Sequence, residues 1–157
     1  MVIHRQQKGY SLVELLLILG IMGIFLTISI PALSQSMRRY SARAGAHEFV
    51  SHLRLARHLA IARHQPVDMA VGAEDYSLPN WSDGDIGTAG LREFSLPRAC
   101  TIVSGTGTIT FRTDGTISTG ATTVRLEIAL DGQITARYDI AISTAGQITT
   151  TYTQVTS

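Results

Sequence analysis

From Leu12 to Ile30 the chain carries one charge, Glu14, with Thr27 and Ser29 as the polar interruptions. A carboxylate in so apolar a stretch costs on the order of 2.5–3.5 kcal/mol near the centre of a bilayer, and such groups usually have a partner. The other residues able to do chemistry are poorly arranged for it. His47 and His52 are five apart and His58 and His64 six apart, so neither pair shares a helix face as i, i+4 metal ligands do. His47 and His58 share a face but stand about 16 Å apart along the axis. Asp83-Gly84-Asp85 lacks the spaced ligands and closing glutamate of a calcium loop and reads as a turn. Cys100 is the only cysteine, and all five histidines lie at or before His64. No glycine-rich phosphate loop follows a strand, and no serine stands in a nucleophile elbow. These patterns point away from an enzyme and predict neither a metal nor a cofactor.

The elements around Glu14 are more informative. Residues 1–9 form a polar leader with His4, Arg5 and Lys8, followed by the apolar run 15–30 and then Pro31. As a helix, residues 10–32 reach about 33 Å, enough to cross a hydrocarbon core. A secretory signal peptide would have an apolar region of about 7–15 residues ending in a small-residue cleavage site. Here a cut after Ala32 would have to follow Pro31. A plain single-span anchor explains the length but not the acid. Flanking charge gives no orientation, because Arg5 and Lys8 precede the run while Arg38, Arg39 and Arg43 follow it.

Gly9-Tyr10-Ser11-Leu12-Val13-Glu14-Leu15-Leu16 closely resembles the processing site of type IV prepilins and type II secretion pseudopilins. The resemblance implies cleavage after Gly9 by a prepilin peptidase and methylation of the new N-terminus at Tyr10, where the family usually has Phe or Met. It places Glu14 at the fifth mature position and Pro31 at the twenty-second, the family's assembly acid and helix-bending proline. It further implies a single-pass protein of the bacterial inner membrane with its head in the periplasm. The implied partners are the peptidase, other major and minor pseudopilins or pilins, the inner-membrane assembly platform and membrane lipid.

Helical patterning resumes after Pro31. Ala42, Ala46, Phe49, Leu53, Ala56 and Ala60 follow 4-3-4-3-4 spacing and form one mostly small-residue stripe, as expected beneath a closely packed sheet. A second apolar face holds Leu33, Met37, Tyr40, Ala44, Leu55, Leu59 and Ala62, interrupted by Ser51 and His58. It suits either deep burial or contact with neighbouring subunits. Arg39, Arg43, Arg54 and Arg57 fall within about 60° of one another along about 27 Å of helix. A solvated face is the default reading of this row; subunit pairing or contact with a polyanion such as DNA is less common. Arg63-His64-Gln65-Pro66 should end the helix.

From Val67 the period changes to two. Strands are predicted at 67–71, 91–94, 101–103, 108–112, 122–130, 134–142 and 148–153, with a long loop over 72–90. Asp131-Gly132 marks a hairpin turn. Gly115, Gly132 and Gly146 each open a turn-then-strand pattern, suggesting successive hairpins. Leu53-Arg54-Leu55-Ala56-Arg57, continued by Ile61-Ala62-Arg63-His64-Gln65-Pro66-Val67, resembles the helix-to-strand junction of the GspH/FimT group of minor pseudopilins. Ile109-Thr110-Phe111-Arg112-Thr113-Asp114-Gly115 resembles that group's phenylalanine-to-glycine turn.

The predicted fold class is α+β and type IV pilin-like: a long N-terminal helix, its first half membrane-spanning, with an antiparallel sheet head on its second half. The expected organisation is a leader at 1–9, an assembly half of the helix at 10–32, an amphipathic half at 33–65 and a β-rich head at 66–157. The function implied is that of a minor pseudopilin, a structural subunit of a type II secretion pseudopilus. The alternative is a type IV pilus minor pilin, and DNA capture by the arginine row is a third reading, not favoured. Formal net charge is +1, and loss of Arg5 and Lys8 with the leader would make it about −1, so bulk charge selects no partner.

Overall fold

A computed structural model describes residues 11–79 and 90–155, apart from the side chains of residues 28–32 and 35. Gly9, Tyr10 and Trp81 lie outside the described residues, and so does the side chain of Pro31. Helix α1 spans Leu12–Arg63 and begins directly after Ser11. It ends as the sequence predicts: His64 takes a left-handed conformation (φ 52°) and Pro66 follows two residues later.

The chain divides into two compact units, Met1–Met37 and Arg38–Ser157. In the first, the large apolar side chains from Leu12 to Leu26 are exposed. Among the described residues no helix is long and apolar enough to cross a membrane. The described side chains from Leu12 stop at Thr27, about 24 Å along the axis against about 30 Å of hydrocarbon. The expected span over 10–32 reaches into side chains outside the description.

The second unit joins the C-terminal part of α1 to two antiparallel four-stranded sheets. Its strands are β1 (Val67–Val71), β2 (Asp75–Pro79), β3 (Leu91–Ser95), β4 (Cys100–Ser104), β5 (Gly107–Phe111), β6 (Thr122–Leu130), β7 (Gln133–Ile142) and β8 (Ile148–Gln154). One sheet has the order β3-β2-β1-β5 and the other β4-β6-β7-β8. The β6–β7 hairpin turns through Asp131 (φ 53°) and Gly132 (φ 79°), the paired positive φ values that a tight two-residue turn demands.

All six residues of the predicted helix stripe are buried, and they share one core with strands of both sheets. Phe49 stacks edge-on against Tyr76 of β2, with ring centroids 5.0 Å apart. Small residues let backbone approach the helix closely: a Cβ on Gly45 would stand 2.5 Å from Cδ of Pro97. The Cys100 thiol donates to the Ala42 carbonyl at 3.6 Å. Val124, Leu126 and Ile128 of β6 face the core together with Ala136, Tyr138, Ile140 and Ile142 of β7. Their alternates carry the ion pairs Arg125–Asp139 (2.6 Å) and Arg137–Glu127 (2.7 Å) on the opposite face.

One prediction needs correction. The loop read over 72–90 contains β2, whose Tyr76 and Leu78 are buried. The second apolar helix face divides: Leu55 and Leu59 are half-buried, while Leu33, Met37 and Tyr40 are exposed.

Candidate functional site

The N-terminal site is built on the first turn of α1. Ser11 occupies the N-cap position and Glu14 the third helical position, the spacing of a capping box. An acid there is also favoured by the helix dipole. The Leu15 amide donates to the Ser11 carbonyl at 3.2 Å, closing the first turn. Glu14 thus has a local reason to open the helix, beside any intermolecular role. The capping signal stands in Ser11-Leu12-Val13-Glu14, but the same four residues carry it only where a helix starts at Leu12.

The arginine row is the second site, and its members differ. Arg57 is half-buried: its Nε donates to the Gly115 carbonyl at 3.1 Å and Nη2 to that of Ala145 at 3.4 Å. It fastens two turns of the head to the helix and is not the free cation a polyanion-binding reading needs. The left-handed glycines of those turns, Gly115 (φ 80°) and Gly146 (φ 72°), lie against one another; a Cβ on Gly146 would strike the Gly115 carbonyl oxygen. The first turn is held by Asp114, whose Oδ1 accepts from the Thr116 hydroxyl (2.6 Å) and amide (2.9 Å), bonds that lower its carboxyl pKa.

Arg43 reaches β8. Its Nη2 donates to the Tyr152 hydroxyl at 3.4 Å, and its guanidinium carbon lies 5.8 Å from that ring's centroid. Arg39 lines the same groove, with Thr135, Tyr152 and Gln154. Arg54 lines a second groove with His58, Ile61 and Ile148. The row therefore runs beside β8 from its last residues to its first. Among the described residues none of these four arginines has a carboxylate partner.

Across the helix, His52 Nδ1 and the Tyr76 hydroxyl share a hydrogen bond of 2.7 Å, and the His52 and Phe94 rings lie 4.2 Å apart. Burial lowers the His52 pKa below 6.5, opposed by Glu48 and assisted by Arg92. This cluster was not foreseen, because Tyr76 lies in the strand read as a loop. His47 instead meets Tyr138 edge-on at 6.0 Å. Burial pushes the Cys100 thiol up to about 12. Such a thiol is a packed apolar group, not a nucleophile. No group of three or more metal-ligating side chains occurs among the described residues.

The pattern of the type II transport protein GspH matches residues 45–146, and the prokaryotic N-terminal methylation motif matches residues 4–30. The chain belongs to the GspH family. Two crystal forms of the type IV minor pilin FimU from Pseudomonas aeruginosa share its fold. One aligns at TM-score 0.55 and 21% identity over 71% of this chain and 88% of FimU; the other at 0.53 and 20% over 69% and 91%. No curated protein sequence matches the chain. The GspH match covers the stripe from Ala46 onward, Arg54 and Arg57 of the arginine row, and both Gly115 and Gly146. The methylation motif covers Gly9, Tyr10 and Glu14. Membership in the GspH family, with the N-terminal methylation motif, implies a membrane-anchored subunit that assembles with others of its kind.

Proposed function

We propose that the chain is a minor, non-catalytic subunit of a type II secretion pseudopilus. One observation carries this reading: a methylation motif at residues 4–30 precedes a GspH match at 45–146 in the same chain. In this reading a prepilin peptidase cuts after Gly9 and methylates Tyr10. Residues 10–32 hold the subunit in the inner membrane, with the head on the periplasmic side, until the assembly platform engages it. The new amine at Tyr10 is four residues from Glu14 in sequence, and an ammonium and a carboxylate in hydrocarbon favour one another strongly. Pairing of an incoming Glu14 with the amine of a subunit already in place sets the axial register. Pro31 supplies the point at which the helix yields during extraction.

The likeness to FimU supports a second reading, a minor subunit of a type IV pilus. Deleting the gene in the native host separates the two: loss of exoprotein release with surface motility intact is expected, and the reverse result selects the pilus. In the same host, Glu14→Val should leave the Gly9 cut detectable by mass spectrometry of the mature N-terminus, yet reduce secretion and cross-linking to partner subunits at least tenfold. An intact Met1 would sink both readings.

A further inference from the structure

Two sheets present four edges, and three of them are closed or guarded. The outer side of β5 is bonded by the following turn: Ser118 donates to the Thr110 carbonyl at 3.0 Å, and Phe111 bridges Ile117. On β4, Ile102 donates to the Ala73 carbonyl at 2.8 Å, and the pairing register shifts between Ile102 and Ser104. The short edge β3 carries Arg92 and Glu93. Charges, bulges and covering loops are the usual ways in which an edge is kept from pairing with another chain.

Among the described residues the fourth edge, β8, has none of these. Its seven residues, Ile-Thr-Thr-Thr-Tyr-Thr-Gln, include no charge, no proline and no glycine. Six of the seven are exposed, and five are β-branched. It pairs with β7 along its full length, and among the described residues nothing pairs with its other side. Alternate residues of such a strand point their amide and carbonyl groups outward, ready for a ladder.

The groove beside this edge has a definite charge. In the β7–β8 register Ile148, Thr150, Tyr152 and Gln154 lie opposite Ile142, Ile140, Tyr138 and Ala136, which face the helix side. Ile148 shares a groove with Arg54, and Tyr152 shares one with Arg39 and Arg43. From Ser34 to Pro66 the only acid is Glu48. An incoming strand that extends the sheet past β8 would turn alternate side chains toward these guanidinium groups.

We propose that β8 is a docking edge for an extended, acidic segment of a neighbouring subunit, added as a ninth strand. The spacing follows from Ile148 and Tyr152: acidic side chains four residues apart on one face of the added strand meet Arg54 at one end and Arg39 and Arg43 at the other. A second copy of this chain fits less well. Two-fold pairing of β8 with β8 places both arginine rows on one face of the joined sheet, like charge beside like charge. DNA matches the charge but makes no use of seven uncharged, ladder-competent residues. This inference rests on the subunit reading above and names the contact by which a partner is held.

The full chain in detergent, probed with an eight-residue Thr/Val peptide bearing two glutamates four positions apart, tests it. Hydrogen exchange should show added protection at the amides of β8 and nowhere else in the sheet. Methylating alternate backbone amides of the peptide, in either register, should abolish binding for one register and spare it for the other. Arg39→Glu with Arg54→Glu should weaken the acidic peptide at least tenfold and admit the lysine version. No protection at β8 with millimolar peptide, equal binding of both methylated registers, or equal protection by a DNA duplex would each overturn the proposal. Failure here leaves the subunit reading intact, because that reading depends on secretion in cells.

Discussion

Arg54 and Arg57 stand three residues apart in one row, and the sequence offers no reason to separate them. The structure does, because only Arg57 reaches two carbonyls, of Gly115 and Ala145, that lie 58 and 88 residues away in the chain. Charged hydrogen bonds of this kind contribute about 1.5–3 kcal/mol each when well made, less where exposed. Arg57→Gln should therefore cost about 1–3 kcal/mol in a urea titration, while Arg54→Gln should stay within about 0.5 kcal/mol of wild type. His52 gives a pH signature. Folding holds its pKa below 6.5 and so favours the neutral ring. That stabilisation is complete above pH 6.5 and lost as pH falls through the folded value. Melting temperature should drop between pH 7 and 5, and His52→Gln should flatten that limb; an unchanged slope in the variant would exclude His52 as its source. Neither behaviour was legible in the sequence. Both depend on contacts between residues remote in the chain, and periodicity reports only neighbours on one element.

At the scale of elements, the helix and seven of the eight strands follow from periodicity, and the exception is instructive. β2 runs from Asp75 to Pro79, so both its ends carry residues that strands disfavour, and Gly72 stands just before it. Its burial comes from Tyr76 and Leu78 meeting the core, a tertiary effect that local propensity does not register. The glycine repeats suggest successive hairpins, one opening at each glycine. Gly132 and Gly146 do precede strands, whereas Gly115 leads only to the isolated bridge at Ile117. What joins Gly115 and Gly146 is contact between their turns. Gly146→Ala meets both a left-handed backbone and the Gly115 carbonyl, so a loss of about 1–3 kcal/mol is expected. Gly132→Ala meets only the backbone penalty and should lose less. Paired thermal melts would check the order; equal losses would show that the two turns separate freely.

The whole molecule is two units with different surroundings in prospect. Exposed leucines, isoleucines and phenylalanine fill the first, while the second buries its stripe within itself. A fragment beginning at Ser34 should fold and remain monomeric in sedimentation. Phe49→Asp should prevent its folding, since an unpaired buried charge costs several kcal/mol. Wild-type melting in that variant would remove Phe49 from the core. The helix stripe has a mechanical consequence. The head grips α1 at Ala42 through the Cys100 thiol, at Gly45 through Pro97, at His47 through Tyr138 and at Arg57 through two carbonyls. These holds are spread over about 22 Å of axis. A pull along α1 loads them side by side, in shear, so that no one hold can be peeled off before the next. The rate at which the head is stripped from its helix under tension is then set by the joint failure of these holds together with the Phe49 and His52 contacts to Tyr76 that lie between them.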